Sequence, residues 1–138
     1  ADVCNLFIAS AAVADYRPVQ SEPEKIKKSR DSMTIELIKN PDIVSAIANL
    51  PNRPFTVGFA AETSDVESYA RGKLERKKLD LIIANDVSDR TIGFNSDDNA
   101  VLVVENSQTE AIPKISKSIL ARQLIARIGE LLSTDKSN

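Results

Sequence analysis

Leu79-Asp80-Leu81-Ile82-Ile83-Ala84 is a short apolar run that closes on the polar pair Asn85-Asp86. Its length and its Leu/Ile content read as a strand buried on both faces. Upstream, Phe55-Thr56-Val57-Gly58-Phe59 has the same character, and Pro51 and Pro54 separate it from what precedes. Between the two runs, Ser64 with Glu67 three residues later has capping-box spacing and opens a helix over about residues 65–78. This strand–helix–strand unit sets the expected fold.

Working outward, Leu6-Phe7-Ile8 reads as another buried strand, running into the small-residue stretch Ala9-Ser10-Ala11-Ala12-Val13-Ala14 where backbone can approach a ligand. Asn40-Pro41-Asp42 reads as a helix start, with a capping side chain, a proline suited to the first turn and an acid at the positive dipole end. Ile43, Val44, Ala46, Ile47 and Leu50 would be its buried stripe. The order strand, helix, strand, helix, strand over residues 6–84 predicts right-handed crossovers and an α/β fold with a Rossmann-like parallel sheet flanked by helices. Ligands then belong at the carboxyl ends of the strands.

After residue 98 the pattern changes. Residues 100–104 and a strand near Ala111 predict a hairpin around residues 105–109, followed by an amphipathic helix over about 116–132 with Ile119, Leu120, Leu124, Ile125, Ile128 and Leu131 on one face. Residues 18–30, with Pro18, Pro23 and the basic cluster Lys25-Ile26-Lys27-Lys28, read as a long loop or flap. Residues 33–38 alternate Met33, Ile35 and Leu37 against Thr34 and Glu36, a strand whose partner is open to being another chain. The chain opens almost directly on a strand, so it is expected to be part of a larger domain.

Composition narrows the chemistry. The 138 residues carry 18 Lys plus Arg against 20 Asp plus Glu, a net charge of −2, so no nucleic acid or anionic membrane is expected as partner and any anion site is local. There is no histidine, which excludes Ser-His-Asp and Cys-His catalysis and His-based zinc sites. Glycines stand only at 58, 72, 93 and 129, so neither G-x-G-x-x-G nor the P-loop pattern can be written. A phosphate ligand needs lysines or helix N-termini. The single cysteine, Cys4, is expected to be a buried small hydrophobe, and it excludes an intrachain disulfide. With no apolar stretch approaching the ~20 residues of a bilayer span and no signal-peptide pattern, the reading is cytoplasmic.

At 100° per residue on the predicted helix, Lys73 and Lys77 line up with Val66 between Tyr69 and Ala70, whereas Arg71, Glu75 and Arg76 point elsewhere. Two readings stand: the lysines snorkel to water over apolar surface, or they form an i, i+4 pair aimed at a polyanion. Asp15, just beyond a strand end, is either an Asx turn or a ligand for Mg²⁺ or a sugar hydroxyl. The Lys25 cluster is either a solvated run or a flap over the site. Phe59 is either core or a ligand contact.

Six stretches in order resemble motifs of the phosphopantothenoylcysteine synthetases: Ala11-Ala12-Val13-Ala14-Asp15-Tyr16-Arg17, Glu24-Lys25-Ile26-Lys27-Lys28, Lys39-Asn40-Pro41-Asp42-Ile43-Val44, Gly58-Phe59-Ala60-Ala61-Glu62-Thr63, residues 81–87 and Gly93-Phe94-Asn95-Ser96. These are CTP-dependent phosphopantothenate–cysteine ligases, unrelated to ATP-grasp enzymes and usually fused in bacteria to a flavin-dependent decarboxylase of coenzyme A biosynthesis. The resemblance implies that residues 1–138 are the C-terminal portion of the CTP-binding ligase domain, with 18–39 as flap and candidate dimerisation strand. It implies nucleotide contacts at Ala9, Ser10, Ala11, Asp15, Lys25, Pro41, Asp42, Ile43, Val44, Phe59, Lys73 and Lys77, a catalytic role for Lys25 and a metal role for Asp15.

The implied substrates are CTP, 4'-phosphopantothenate and cysteine, with Mg²⁺ assisting; FMN would belong only to a fused decarboxylase outside these residues. A homodimer is implied as well. The family's N-terminal half, with its Gly-Pro-Thr turn and Asn-containing loop, has no counterpart here, so this portion alone is expected to be inactive. That leaves a second reading, a non-catalytic dimerisation or nucleotide-sensing module. A nicotinamide oxidoreductase is disfavoured by the missing glycine-rich turn.

Overall fold

A computed structural model describes residues 4–26, 31–88 and 96–135. It divides into two compact units, Ala1–Ser10 with Val44–Asn138, and Ala11–Ile43. In chain order the elements are β1 (Leu6–Ala9), β2 (Tyr16–Pro18), β3 (Leu37–Lys39), α1 (Ile43–Ala48), β4 (Phe55–Glu62), α2 (Val66–Lys77), β5 (Leu81–Asp86), β6 (Asp98–Val104), β7 (Thr109–Ser116) and α3 (Lys117–Asp135).

The larger unit is built on a five-stranded sheet in the order β1-β4-β5-β6-β7. β1, β4 and β5 are mutually parallel, as the alternation of strands and helices predicts. β6 and β7 continue the sheet antiparallel, as the expected hairpin. Period-two alternation sorts each strand's side chains onto two faces. Ile82 and Ala84 join Ala60, Ala70 and Leu74 in a core beneath α2, while Leu81 and Ile83 join Val57, Val101, Val103 and the α3 residues Leu120, Leu124 and Ile128 on the other face. The fold is therefore α/β, with helices covering both faces of a mixed sheet.

Gly58 shows how closely one face is packed. A Cβ there would lie 2.7 Å from Leu79 Cδ1, a distance that real Cβ atoms do not tolerate. Leu79 is placed by the end of α2, where Lys78 adopts φ 55° and the amides of Lys78 and Leu79 donate to Glu75 and Leu74 carbonyls. This is the double hydrogen bond of a Schellman stop, made here without glycine.

Several local expectations are corrected. The strand expected over residues 33–38 is confined to Leu37–Lys39 and pairs antiparallel with β2 of the same chain, Pro18 opposite Leu37 and Tyr16 opposite Lys39. Asn40 does not cap a helix: its amide nitrogen donates to the Ala14 carbonyl at 2.7 Å and its oxygen accepts from Arg17 at 2.9 Å. α1 is shorter than expected, and Ala48 is its buried residue, while Ile43, Ala46 and Leu50 are exposed.

At the next helix, Asp65 occupies the cap with φ 44° and no side-chain cap bond, so the Ser64/Glu67 capping box does not form. Glu67 is instead drawn to Thr109. On α3 the buried stripe is the narrower set Leu120, Leu124 and Ile128, flanked by Leu131 and Leu132; Ile119 and Ile125 are exposed. Cys4 is exposed rather than buried, because it precedes β1 at the sheet edge, with its thiol donating to the Leu6 carbonyl.

Candidate functional site

The carboxyl end of β1 lies beside the middle of β4, Ala9 in register with Gly58. Beyond Ala9 the Ser10 amide turns back to the Ile8 carbonyl at 3.0 Å, which ends the strand. β4 runs three residues further than its apolar core suggests, to Glu62, which is in register with Asp86 at the end of β5. The Val87 amide donates to the Glu62 carbonyl, and the Asp86 carboxylate accepts the Ser88 amide and hydroxyl in a tight Asx turn.

Strand parity decides which way the β4 side chains point. Ala60 and Glu62 share the face beneath α2, whereas Phe59 shares the face of Val57 and is 48% exposed. Of the two readings open for Phe59, the structure favours an accessible ring over a core one.

Lys73 extends from α2 to Glu62, Nζ to Oε1 at 2.5 Å, with the lysine side chain 35% and the glutamate side chain 17% exposed. Lys77, one turn later, is half-buried. Val44, on α1, packs at the margin of the α2-side core. So the predicted residues Ala9, Ser10, Val44, Phe59, Lys73 and Lys77 belong to one unit. Lys73 and Phe59 approach the end of β4 from opposite faces, so a ligand meeting both must lie across the strand ends.

The other predicted residues belong to the smaller unit. Ala11 is exposed and its carbonyl accepts from Val13. Asp15 is exposed, with its carbonyl held by the Asn40 amide at 2.8 Å. Lys25 is exposed on a stretch without regular structure, and Pro41, Asp42 and Ile43 are exposed where β3 leads into α1. Lys27 and Lys28, like Gly93, Phe94 and Asn95, fall outside the described residues.

Among the described residues no group of three or more Asp, Glu or Cys is placed to hold a metal. Asp15 is a single exposed carboxylate. Mg²⁺ commonly takes one or two protein carboxylates and completes its octahedron with water and substrate phosphates. Asp15 fits a cation delivered on a nucleotide and does not fit a protein cage. No helix among the described residues is long and apolar enough to cross a membrane.

Two features lay beyond the sequence reading. Arg71 does not point away from the fold: its guanidinium donates to the Glu105 and Asn106 carbonyls and to the Thr109 hydroxyl, and that hydroxyl donates to Glu67 at 2.7 Å. The Thr109 hydrogen bond, reinforced by Arg71, holds the Glu67 carboxyl below its ordinary range. On the other face Arg127 donates twice to Glu105 Oε1, at 3.1 and 2.7 Å, while Gln108 occupies Oε2; the pairing holds the guanidinium above its ordinary value. Both helices are thereby tied to the β6–β7 turn. Glu62 lies past the apolar run that marks β4, and parity with Ala60 along the full strand puts it under α2.

Comparison with known proteins adds the family. Residues 1–132 match the DNA/pantothenate metabolism flavoprotein C-terminal domain. The chain is 57% identical over 128 residues to the coenzyme A biosynthesis bifunctional protein CoaBC of Vibrio cholerae, covering 91% of this chain and 32% of that protein. It is 52% identical over 128 residues to the protein of that name in Escherichia coli K12, covering 90% and 32%. The chain thus spans about a third of the length of the curated relatives it matches. Among solved structures, the C-terminal domain of a coenzyme A biosynthesis bifunctional protein CoaBC superposes with TM-score 0.72 at 30% identity, covering 94% of this chain and 56% of that one.

Proposed function

The chain belongs to the family of DNA/pantothenate metabolism flavoprotein C-terminal domains, and from that premise we propose that it supplies the nucleotide side of a CTP-dependent phosphopantothenate–cysteine ligase of coenzyme A biosynthesis. The observation that carries the reading is Lys73, a half-buried ammonium at the carboxyl end of β4, opposite an exposed Phe59. Strand carboxyl ends are where open α/β sheets take ligands.

In the proposed reaction the carboxylate of 4'-phosphopantothenate attacks the α-phosphorus of CTP, pyrophosphate leaves, and the acyl-cytidylate forms. The cysteine amine then attacks the acyl carbon, CMP leaves with the bond electrons, and the amine gives up its proton. Neither step needs histidine, since phosphoryl transfer rests on positioning and charge neutralisation. Lys73 and Lys77 neutralise the polyphosphate. Phe59 offers an apolar surface to the base or ribose, and the backbone at Ala9, Ser10, Ala11, Pro41, Asp42, Ile43 and Val44 offers hydrogen bonds to the cytosine edge. Lys25, on its flap, closes over the triphosphate and excludes water. Mg²⁺, held by Asp15 and the phosphates, would spread the charge that develops on the leaving oxygens.

The homodimer belongs to the same proposal and is supported by the apolar Met33, Ile35, Leu37 and Ile38, all exposed within the smaller unit. That observation also favours the alternative, a non-catalytic dimerisation or nucleotide-sensing module. One set of samples separates the two, this chain alone and the same chain carried in a protein of its relatives' length. Titration with CTP, ATP and NAD in Mg²⁺ is expected to give binding of CTP at least about 10-fold tighter than the others in the longer protein, a difference of ~1.4 kcal/mol. Equal or absent CTP binding there contradicts the ligase reading. Sedimentation of either sample as a monomer contradicts the dimer.

A further inference from the structure

A carboxylate beside a lysine that is to meet a polyanion needs a reason. If Lys73 served only to attract phosphate, Glu62 would oppose it, because the pair carries no net charge. Yet β4 sets Glu62 on the α2 face, 2.5 Å from the ammonium and more deeply buried than the lysine. The face leading to it is made of Gly58 and Ala60, residues too small to hold a long side chain in place. Lysine has four rotatable bonds and a freely rotating ammonium with three donors. One contact to Glu62 fixes where Nζ sits and leaves the other two donors for a ligand.

We propose that Glu62 is a positioning residue: it holds the Lys73 ammonium at the carboxyl end of β4 in the orientation that meets the polyphosphate as pyrophosphate departs. The inference rests on the reading that CTP occupies these strand ends. Glu62 orients Lys73 at some cost in ground-state attraction, so its contribution falls on the rate of the chemical step rather than on CTP capture. A purely structural ion pair has the opposite signature, a loss of stability with the rate of the folded enzyme unchanged.

The test compares Glu62→Gln, Glu62→Asp and Lys73→Ala, each in a protein of the relatives' length. Steady-state kinetics with CTP varied are run beside thermal melting. Glu62→Gln is expected to lower kcat about 10-fold, the scale of a misplaced catalytic contact, with KM for CTP at or below that of the parent. Glu62→Asp keeps the charge but retracts the carboxylate by one methylene, so it is expected to recover the rate in part, to a value between Glu62→Gln and the parent. A Glu62→Gln enzyme with the parent's kcat overturns the proposal. So does a lowered melting temperature without loss of kcat, or a loss that Glu62→Asp does not recover in part. Lys73→Ala separates this failure from a deeper one. If Lys73→Ala impairs CTP use and Glu62→Gln does not, only the positioning role falls; if Lys73→Ala changes nothing, the nucleotide reading falls and takes this inference with it.

Discussion

Each end of β4 carries an ion pair, and the pairs differ in what they hold. At the amino end, Asp80 accepts both guanidinium nitrogens of Arg53 at 2.6 Å and the Thr56 amide at 2.7 Å, and its own amide donates to the Thr56 carbonyl. Thr56 is fully buried, and its hydroxyl is spent on the Pro54 carbonyl. These partners are all parts of the framework. At the carboxyl end, Glu62 holds a single ammonium on a side chain that is 35% exposed, and Phe59, on the opposite face of β4, is half exposed. One end is closed by its own hydrogen bonds; the other keeps polar and aromatic groups available. The difference matches the rule that open α/β sheets bind ligands beyond their strand carboxyl ends.

The largest expected effect lies at the closed end. Asp80→Ala strands the buried Thr56 amide and one guanidinium, and is expected to cost about 2–3 kcal/mol of stability, read as a lower urea midpoint with an unchanged slope. CTP affinity of the folded protein should stay at the parent's value. An affinity loss there would break the division between framework end and ligand end. The smallest effect belongs to neither end. Glu67 has its folded-state pKa below the ordinary 4.5 because Thr109 and Arg71 favour the carboxylate. Its contribution is therefore present above the unfolded value and is lost as pH falls through the lower folded value. Glu67→Gln is expected to lower the melting temperature by no more than about 2 °C at pH 7, with the difference from the parent vanishing in strong acid. A difference that persists there would mean that the carboxylate charge is not what tethers α2 to Thr109.

Much of this organisation is legible in the sequence, and what is hidden has a common cause. The apolar runs at 55–59 and 79–84 announce β4 and β5 because burial on both faces leaves little choice of residue. The hairpin and α3 follow from their periodicity. The failures come from side chains whose partners are distant in sequence. Ser64 and Glu67 have capping-box spacing, but Thr109 and Arg71 claim the glutamate. Asn40 has the look of a cap and is taken by Ala14 and Arg17. Arg71, which lies off the Lys73/Lys77 stripe on the helical wheel, reaches the β6–β7 turn.

The candidate site divides in the same way. The inward placement of Lys73 follows from the helical wheel, since its neighbours Val66, Ala70 and Leu74 are core residues. Its partner Glu62 was hidden because the apolar run ends at Phe59 while the strand continues to Glu62. Strand pairing with β5, not hydrophobicity, extends it.

The most direct test of the open end is the ratio of CTP to CMP affinity in Lys73→Ala, measured by calorimetry in Mg²⁺ in a protein of the relatives' length. Loss of a charge-assisted contact to the outer phosphates is expected to weaken CTP by about 10-fold or more and leave CMP within about 2-fold. Equal losses for both ligands, or none for either, would contradict a polyphosphate site at the carboxyl end of β4.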